Sequence, residues 1–360
     1  MNSCSYNPNI AIHPGKTLEE MLIALKMSQV DLATRTGLTP KTINEIIQGK
    51  NPITPDTAIK LSDVFGVSAE FWNNLQKNYE HTELRLKEEA KLQKELAFLK
   101  NFSCYKELVQ WGYVEDTRNK AERVKALLMF FKVSSLEFVS RVHPVAFRKS
   151  KNKSLSNESL AAWLRCGEIV ADKINTKPFN RDHIMDSIDS LRVLSKVDPR
   201  VFQSRIVSIC AEAGIAVAFV PHFTNTFVCG ATRWINPDKA LIQLSVRGGR
   251  DDIFWFTFFH ELGHLLKHGK RDQFVEFEKR SERELQDKEE VADEFSQNTL
   301  INKLEYAKFI KQNEFTDAAI KEFANAINIA PSIIAGRLSH DFKDWTSWTH
   351  LRKHLRFVHN

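Results

Sequence analysis

One short stretch limits this chain more than any other. Between Trp255 and His268 the sequence reads WFTFFHELGHLLKH. It contains His260-Glu261-Leu262-Gly263-His264, the H-E-x-x-H pattern of a zinc site, in an apolar setting. Residues four apart share one face of a helix, so a helix here lets both imidazoles meet one ion. Glu261, one step round from His260, then reaches a water on that ion. Trp255, Phe256, Phe258, Phe259, Leu262, Leu265 and Leu266 make the segment apolar, and Gly263 leaves room for a close neighbour. The same letters would also suit a buried helix with two hydrogen-bonded core histidines.

A third ligand separates these readings. A catalytic zinc takes three protein ligands and keeps one position for water. The run Glu289-Glu290-Val291-Ala292-Asp293-Glu294-Phe295 offers one at helical spacing. With Glu289 as ligand, Asp293 lies one turn later on the same face. There it can accept a hydrogen bond from the outer nitrogen of a ligand histidine. The plainer alternative is a solvated acidic face. His268 is read as a surface or supporting residue, and Tyr306, His268 and Arg337 are the candidates for stabilising an oxyanion.

The first eighty residues carry a different pattern. Leu18, Met21, Leu22 and Leu25 recur at helical spacing after a turn at His13-Pro14-Gly15. Ser28 with Asp31, then Thr39, Thr54 and Ser68, read as caps of four further helices, and Gly37 and Gly49 as stops. Ser28 to Gln48 is therefore helix, glycine turn, helix, the helix-turn-helix form. Its second helix would enter a major groove by its N-terminal end. Lys41, Thr42, Asn44 and Glu45 are the candidate base readers, since lysine suits guanine, asparagine adenine and glutamate cytosine. Gln29, Thr39 and Lys50 are the candidate phosphate contacts. Seven basic residues against eight acidic ones in residues 1–80 leave no net positive charge. Such a unit must gather its lysines on one face or bind as a dimer; a helical protein-interaction domain is the alternative.

Residues 79–100 form a charged helix with a thin leucine stripe, and residues 101–200 look helical without assignable chemistry. Ile215 to Val220, Thr226 to Ile235 and Ala240 to Val246 read as strands ahead of the motif helix. Residues 341–360 mix basic and aromatic side chains. They read as a C-terminal helix docked by tryptophans, with nucleic-acid contact as the alternative.

The 360 residues predict two or more domains, and 42% hydrophobic with 27% charged content fits a soluble globular chain. A formal charge of +6 permits nucleic-acid contact without demanding it. Five cysteines, an odd number without a C-x-x-C pair, imply neither a disulfide framework nor a cysteine metal site. The first fifteen residues lack the basic head and apolar run of a secretory signal. No stretch approaches a membrane span, so a cytoplasmic location is expected.

Two resemblances add to this. Residues 11–79, with HPGKTLEEML, SQVDLATRTGLTPKTINEIIQGKN and the ending FGVSAEFWNNLQ, resemble HigA-type antitoxins of the Cro/C1 helix-turn-helix superfamily. Residues 205–340, with FHELGHLLKH, E-x-x-A-D-x-F at Glu289 to Phe295 and a later helix ending in Arg337-Leu338, resemble the ImmA/IrrE family of zinc-dependent peptidases. The second resemblance implies Zn2+ held by His260, His264 and Glu289, Glu261 as the catalytic carboxylate and Asp293 in support. Together they imply a mainly α chain with a small β-sheet. Its expected order is a five-helix helix-turn-helix domain (1–79), a helical middle region (80–200), a zincin-like α+β domain (201–340) and a basic, aromatic tail (341–360). The function implied is a DNA-binding regulator of antitoxin or repressor type, dimeric, acting on a double-stranded operator such as that of its own gene. Its zinc-dependent peptidase domain would cut a repressor or toxin partner. The alternative is a non-catalytic repressor or antitoxin whose second domain senses a ligand or binds a partner.

Overall fold

A computed structural model describes residues 9–143, 156–267 and 282–356. Two compact units divide the chain, Met1–Ala97 and Phe98–Asn360. Among the described residues no helix is long and apolar enough to cross a membrane. His268 lies outside the described residues.

The first unit is built from α1 (Gly15–Ala24), α2 (Gln29–Thr36), α3 (Pro40–Ile47), α4 (Pro55–Phe65) and α5 (Ala69–Leu99). The starts follow local rules. Ser28 Oγ accepts the Asp31 amide and the Asp31 carboxylate accepts the Ser28 amide, each at 3.1 Å, which closes a capping box on α2. Thr39 and Thr54 cap α3 and α4, each followed by a proline that has no amide to leave unpaired. Gly37 ends α2 at φ 68°, a left-handed conformation that only glycine adopts cheaply. Leu18, Leu32, Ile43, Ile46, Leu61 and Trp72 are buried where the helices meet. Replacing Ser28 by alanine removes the cap and is expected to lower this unit's stability by about 1 kcal/mol. A lower urea midpoint at unchanged slope is the measurement.

Sequence spacing predicts a short helix from Ser68 and a separate charged helix over 79–100. The structure has one, α5. Neither glycine nor proline falls between Leu75 and Tyr79, so nothing forces the first to stop before the second begins.

In the second unit α6 (Tyr105–Gln110), α7 (Lys120–Phe131), α8 (Val139–Val142), α9 (Asn157–Asp172), α10 (Arg181–Asp186), α11 (Ile188–Val193) and α12 (Pro199–Glu212) precede a sheet. The sheet comprises β1 (Ile215–Phe219), β2 (Gly230–Asn236) and β3 (Lys239–Leu244), in the order β1-β3-β2. β1 runs parallel to β3 and β2 antiparallel to it. After the sheet come α13 (Asp251–Lys267), α14 (Glu282–Leu300), α15 (Lys303–Gln312), α16 (Asp317–Ala326) and α17 (Pro331–Phe342). The chain is thus mainly helical with a small mixed sheet.

The central strand is covered on both faces. Gln243 turns to α9, where its Nε2 donates to the Trp163 carbonyl at 2.6 Å. A Cβ on Gly167 would lie 1.9 Å from Gln243 Oε1, so glycine is what lets α9 come this close. The flanking Ile242 and Leu244 point the other way by strand alternation. They join the core containing Trp255, Phe258, Phe259, Leu262 and Leu265 of α13. α13 is a largely buried helix whose aromatic and leucine side chains fill this core.

The C-terminal stretch docks, but not as the helix expected from sequence. Lys343 and Trp348 have φ near 57°, which breaks helical continuity. Only a short turn, Thr349–Leu351, is helical there. Trp348 Nε1 donates to the Phe315 carbonyl at 2.9 Å, and the Leu355 amide donates to the Gly249 carbonyl at 2.8 Å.

Candidate metal centre and nucleic-acid interface

The metal centre depends on how closely α13 and α14 approach. A Cβ on Gly263 would sit 3.0 Å from Phe295 Cδ1 and 3.3 Å from the Ala292 Cα. Ala292 is fully buried in that contact. Ser296 Oγ donates to the Phe256 carbonyl at 2.8 Å and ties the two helices one turn further on. With the axes held this close, Glu289 and Asp293 of α14 come to the histidine edge of α13.

There three ligand atoms converge. His260 Nε2 and His264 Nε2 are 3.0 Å apart. Glu289 Oε2 lies 3.2 Å from the first and 3.7 Å from the second. Zinc bonds to nitrogen and oxygen of about 2.0–2.1 Å give a tetrahedron with edges of about 3.3 Å. The three measured edges bracket that value, and the set is compact enough to hold one ion. The donors also suit zinc chemically, being two imidazoles and a carboxylate. His260 Nδ1 donates to Asp293 Oδ1 at 2.8 Å. An ionised carboxylate only accepts, so this bond fixes the tautomer and leaves Nε2 with its lone pair facing the ligand cluster. Burial of the His260 ring works to lower its pKa. The carboxylates of Glu289, Glu261 and Asp293 around it outweigh that, and the pKa is raised.

Glu261 is buried beside β2. A Cβ on Gly230 would lie 2.7 Å from Glu261 Cγ and from Glu261 Oε1, so the first residue of β2 has to be glycine for this carboxylate to fit. Thr232 Oγ1 donates to the Glu261 carbonyl at 3.1 Å and holds strand to helix. Sequence reasoning passed over Gly230. A glycine opening a strand beside a motif helix was the available signal, because it marks a close backbone approach.

Tyr306 and Arg337 meet each other rather than the ligand cluster. The Tyr306 hydroxyl donates to Asp341 Oδ2 at 2.8 Å, and Arg337 Nε donates to the same oxygen at 2.9 Å. Burial, with the Asp341 carboxylate beside it, pushes the Tyr306 hydroxyl pKa up. A phenol so engaged is a poor mobile proton donor.

In the first unit the candidate nucleic-acid contacts cluster at the start of α3 and around it. Lys41 has 83% of its side chain exposed, with Glu45 3.8 Å away. The Thr39 and Thr42 hydroxyls bond each other at 2.9 Å, and Thr39 Oγ1 also accepts the Thr42 amide as the cap. Asn44 Oδ1 accepts from Gln48 Nε2 at 3.3 Å, and Glu45 Oε2 accepts from Asn51 Nδ2 at 2.6 Å. Gln29 opens α2, half-buried, and Lys50 is exposed beyond α3.

Known proteins match this unit. A helix-turn-helix family profile matches residues 18–72. The uncharacterized HTH-type transcriptional regulator YddM of Escherichia coli (strain K12) is 40% identical over 63 residues, 18% of this chain and 67% of that protein. The chain belongs, through this unit, to the helix-turn-helix family of HigA and Cro type. Virulence-associated protein I of Dichelobacter nodosus is 42% identical over 71 residues, 19% of this helix-turn-helix chain and 66% of the relative. The chain thus spans about two thirds of the curated relatives it matches. A HigA-family addiction module antidote protein from Coxiella burnetii is 38% identical, covering 24% of this chain and 94% of that one, with a TM-score of 0.22. The Pseudomonas aeruginosa antitoxin HigA, solved with the higBA promoter, is 32% identical over 24% of this chain and 95% of its own, with a TM-score of 0.23.

Proposed function

We infer that this helix-turn-helix protein is a DNA-binding transcriptional regulator of repressor or antitoxin type whose second unit holds a zinc ion at His260, His264 and Glu289. The family match over residues 18–72 carries the DNA-binding part. In this reading the chain acts as a homodimer in the cytoplasm, and α3 enters the major groove of an operator such as that of its own gene. Lys41 and Asn44 then read bases, with Thr42 and Glu45 beside them. Gln29 and Lys50 hold phosphates, and Thr39 contributes mainly by fixing the start of α3. The metal-bearing unit senses a ligand or a protein partner, a toxin among the candidates, and passes that state to the operator.

The deciding measurement is salt-dependent binding to the promoter of the protein's own gene. K41A and N44A are each expected to weaken it about 10-fold, as the loss of one base contact does. No binding at low salt would remove the regulator reading.

The place of Glu261 favours a second reading, a zinc peptidase of zincin type that cuts a repressor or partner protein. A zinc ion bound by these ligands supplies Lewis acidity and lowers the pKa of a water toward neutrality. Glu261, next to His260 in sequence and buried against Gly230, would take the proton of the attacking water and pass it to the leaving amine. Asp293 would keep the His260 ring oriented. Peptide cleavage by the zinc-loaded full chain is expected to fall at least about 100-fold in E261Q. Equal cleavage by both proteins would take Glu261 out of this role, and none by either would leave the sensing reading.

A further inference from the structure

Behind the metal centre α13, α14 and α17 enclose a cavity of about 360 Å³. That lies within the range of about 300–1,000 Å³ typical of small-molecule sites. Ile253, Leu300, Ile301 and Ile333 make most of it apolar, and Phe256 and Trp345 add ring faces. Its polar edges include Asp293 and Gln297. The Gln297 side chain bonds none of the described residues.

A second hollow of about 240 Å³ adjoins the first and shares Arg250 and Trp345 with it. Arg250, Arg352, Lys353 and His354 line the second hollow with Trp345 and Thr349, and no acidic side chain is among them. Asp252 in the cavity wall is already neutralised, by Arg250 on one side and Arg352 on the other. Arg250 spends Nε and Nη2 on Asp252, and its Nη1 bonds none of the described residues. An apolar, aromatic chamber with a basic rim beside it matches a molecule with a flat ring at one end and a phosphate at the other.

We propose that this cavity binds a nucleotide-like metabolite, ring inside and phosphate on the Arg250–Lys353–His354 rim, and that its occupancy is felt at the metal centre through Asp293. Asp293 is the shared element: it lines the cavity and also accepts the His260 Nδ1 hydrogen. The pocket stands without the metal reading, and only the coupling rests on it.

Calorimetric titration of the full chain with adenosine 5′-monophosphate tests the pocket. GMP, CMP and UMP serve as alternative rings, with adenosine and inorganic phosphate as half-ligands. Saturable one-site binding of at least one nucleotide is expected, with each half-ligand at least 10-fold weaker. K353E and W345A change exposed side chains. Both are expected to weaken nucleotide binding at least 10-fold at an unchanged melting temperature. H264A, which removes a metal ligand, is expected to keep nucleotide binding. No saturable nucleotide binding, phosphate binding as tightly as a nucleotide, or variants that bind like the parent would overturn the site. A bound nucleotide is expected to shift zinc affinity at least 3-fold in the parent, and no shift would overturn the coupling alone.

Discussion

Purified protein is expected to carry close to one zinc per chain, and H264A to carry almost none. Removing one of three converging ligands leaves His260 Nε2 and Glu289 Oε2, 3.2 Å apart, which is too few donors to compete with solvent and chelator. Loss of a supporting group around a zinc site costs about 10–100-fold in affinity, so loss of a ligand itself should exceed that. D293A is the informative intermediate. It keeps all three ligands and frees only the His260 ring, so a drop of about 10–100-fold is expected. Elemental analysis after dialysis, followed by competition with a chelator of known affinity, gives both values. Zinc retained in H264A would mean that the ion sits elsewhere.

What could be read from sequence here was what is local. Caps at Ser28, Thr39 and Thr54, the glycine stop at Gly37 and the helical spacing of His260 with His264 all act within a turn or two. Even the close neighbour of Gly263 was visible as an absent side chain. Glu289 was reachable only because helical spacing links it to Asp293 and the pair makes chemical sense together. The contacts that set the site's surroundings were not legible. Gly230 clears space for a glutamate 31 positions later, and Gly167 does the same for Gln243. Neither pair leaves a periodic trace. The aromatic C-terminal stretch suggested a docked helix. Two positive-φ residues, Lys343 and Trp348, made it a turn and an extended strap, and propensity does not foresee left-handed backbone at lysine or tryptophan. A Cβ on Gly249 would lie 2.3 Å from His354 Cε1, so this glycine makes room for that ring.

D252A is expected to cost the second unit about 3–5 kcal/mol, the usual result of stripping the partner from a buried charge. Asp252, second residue of α13, is buried, and Arg352 reaches it from the strap with Nε 3.3 Å from Oδ2 and only 4% of its side chain exposed. Arg352 also donates to Ser339 Oγ and, at 3.3 Å, to the Ala335 carbonyl. Arg250 closes the set from the other side. Asp251, one residue earlier, accepts from Ser332 Oγ at 2.7 Å and from the Lys353 amide at 2.9 Å. Burial raises the Asp251 pKa, against those two hydrogen bonds. Alanine at 252 would take from Arg352 the largest of the negative charges acting on it, leaving it enclosed beside neutral acceptors and the Arg250 cation, with the weaker fields of Asp251 and Asp344. The paired change D252L/R352M removes both charges of that contact and should recover much of the loss, because well-packed apolar replacements of buried ion pairs are often neutral. Denaturant unfolding of the single and paired variants decides it. Full additivity of D252A and R352A would deny the coupling, since residues in contact depart from additivity by 0.5–3 kcal/mol in order of magnitude, about the range expected here. The first turn of α13 carries this network and its later turns carry the histidines. A weakened strap should therefore loosen zinc as well as lower stability, whereas H264A should lose zinc with the strap intact.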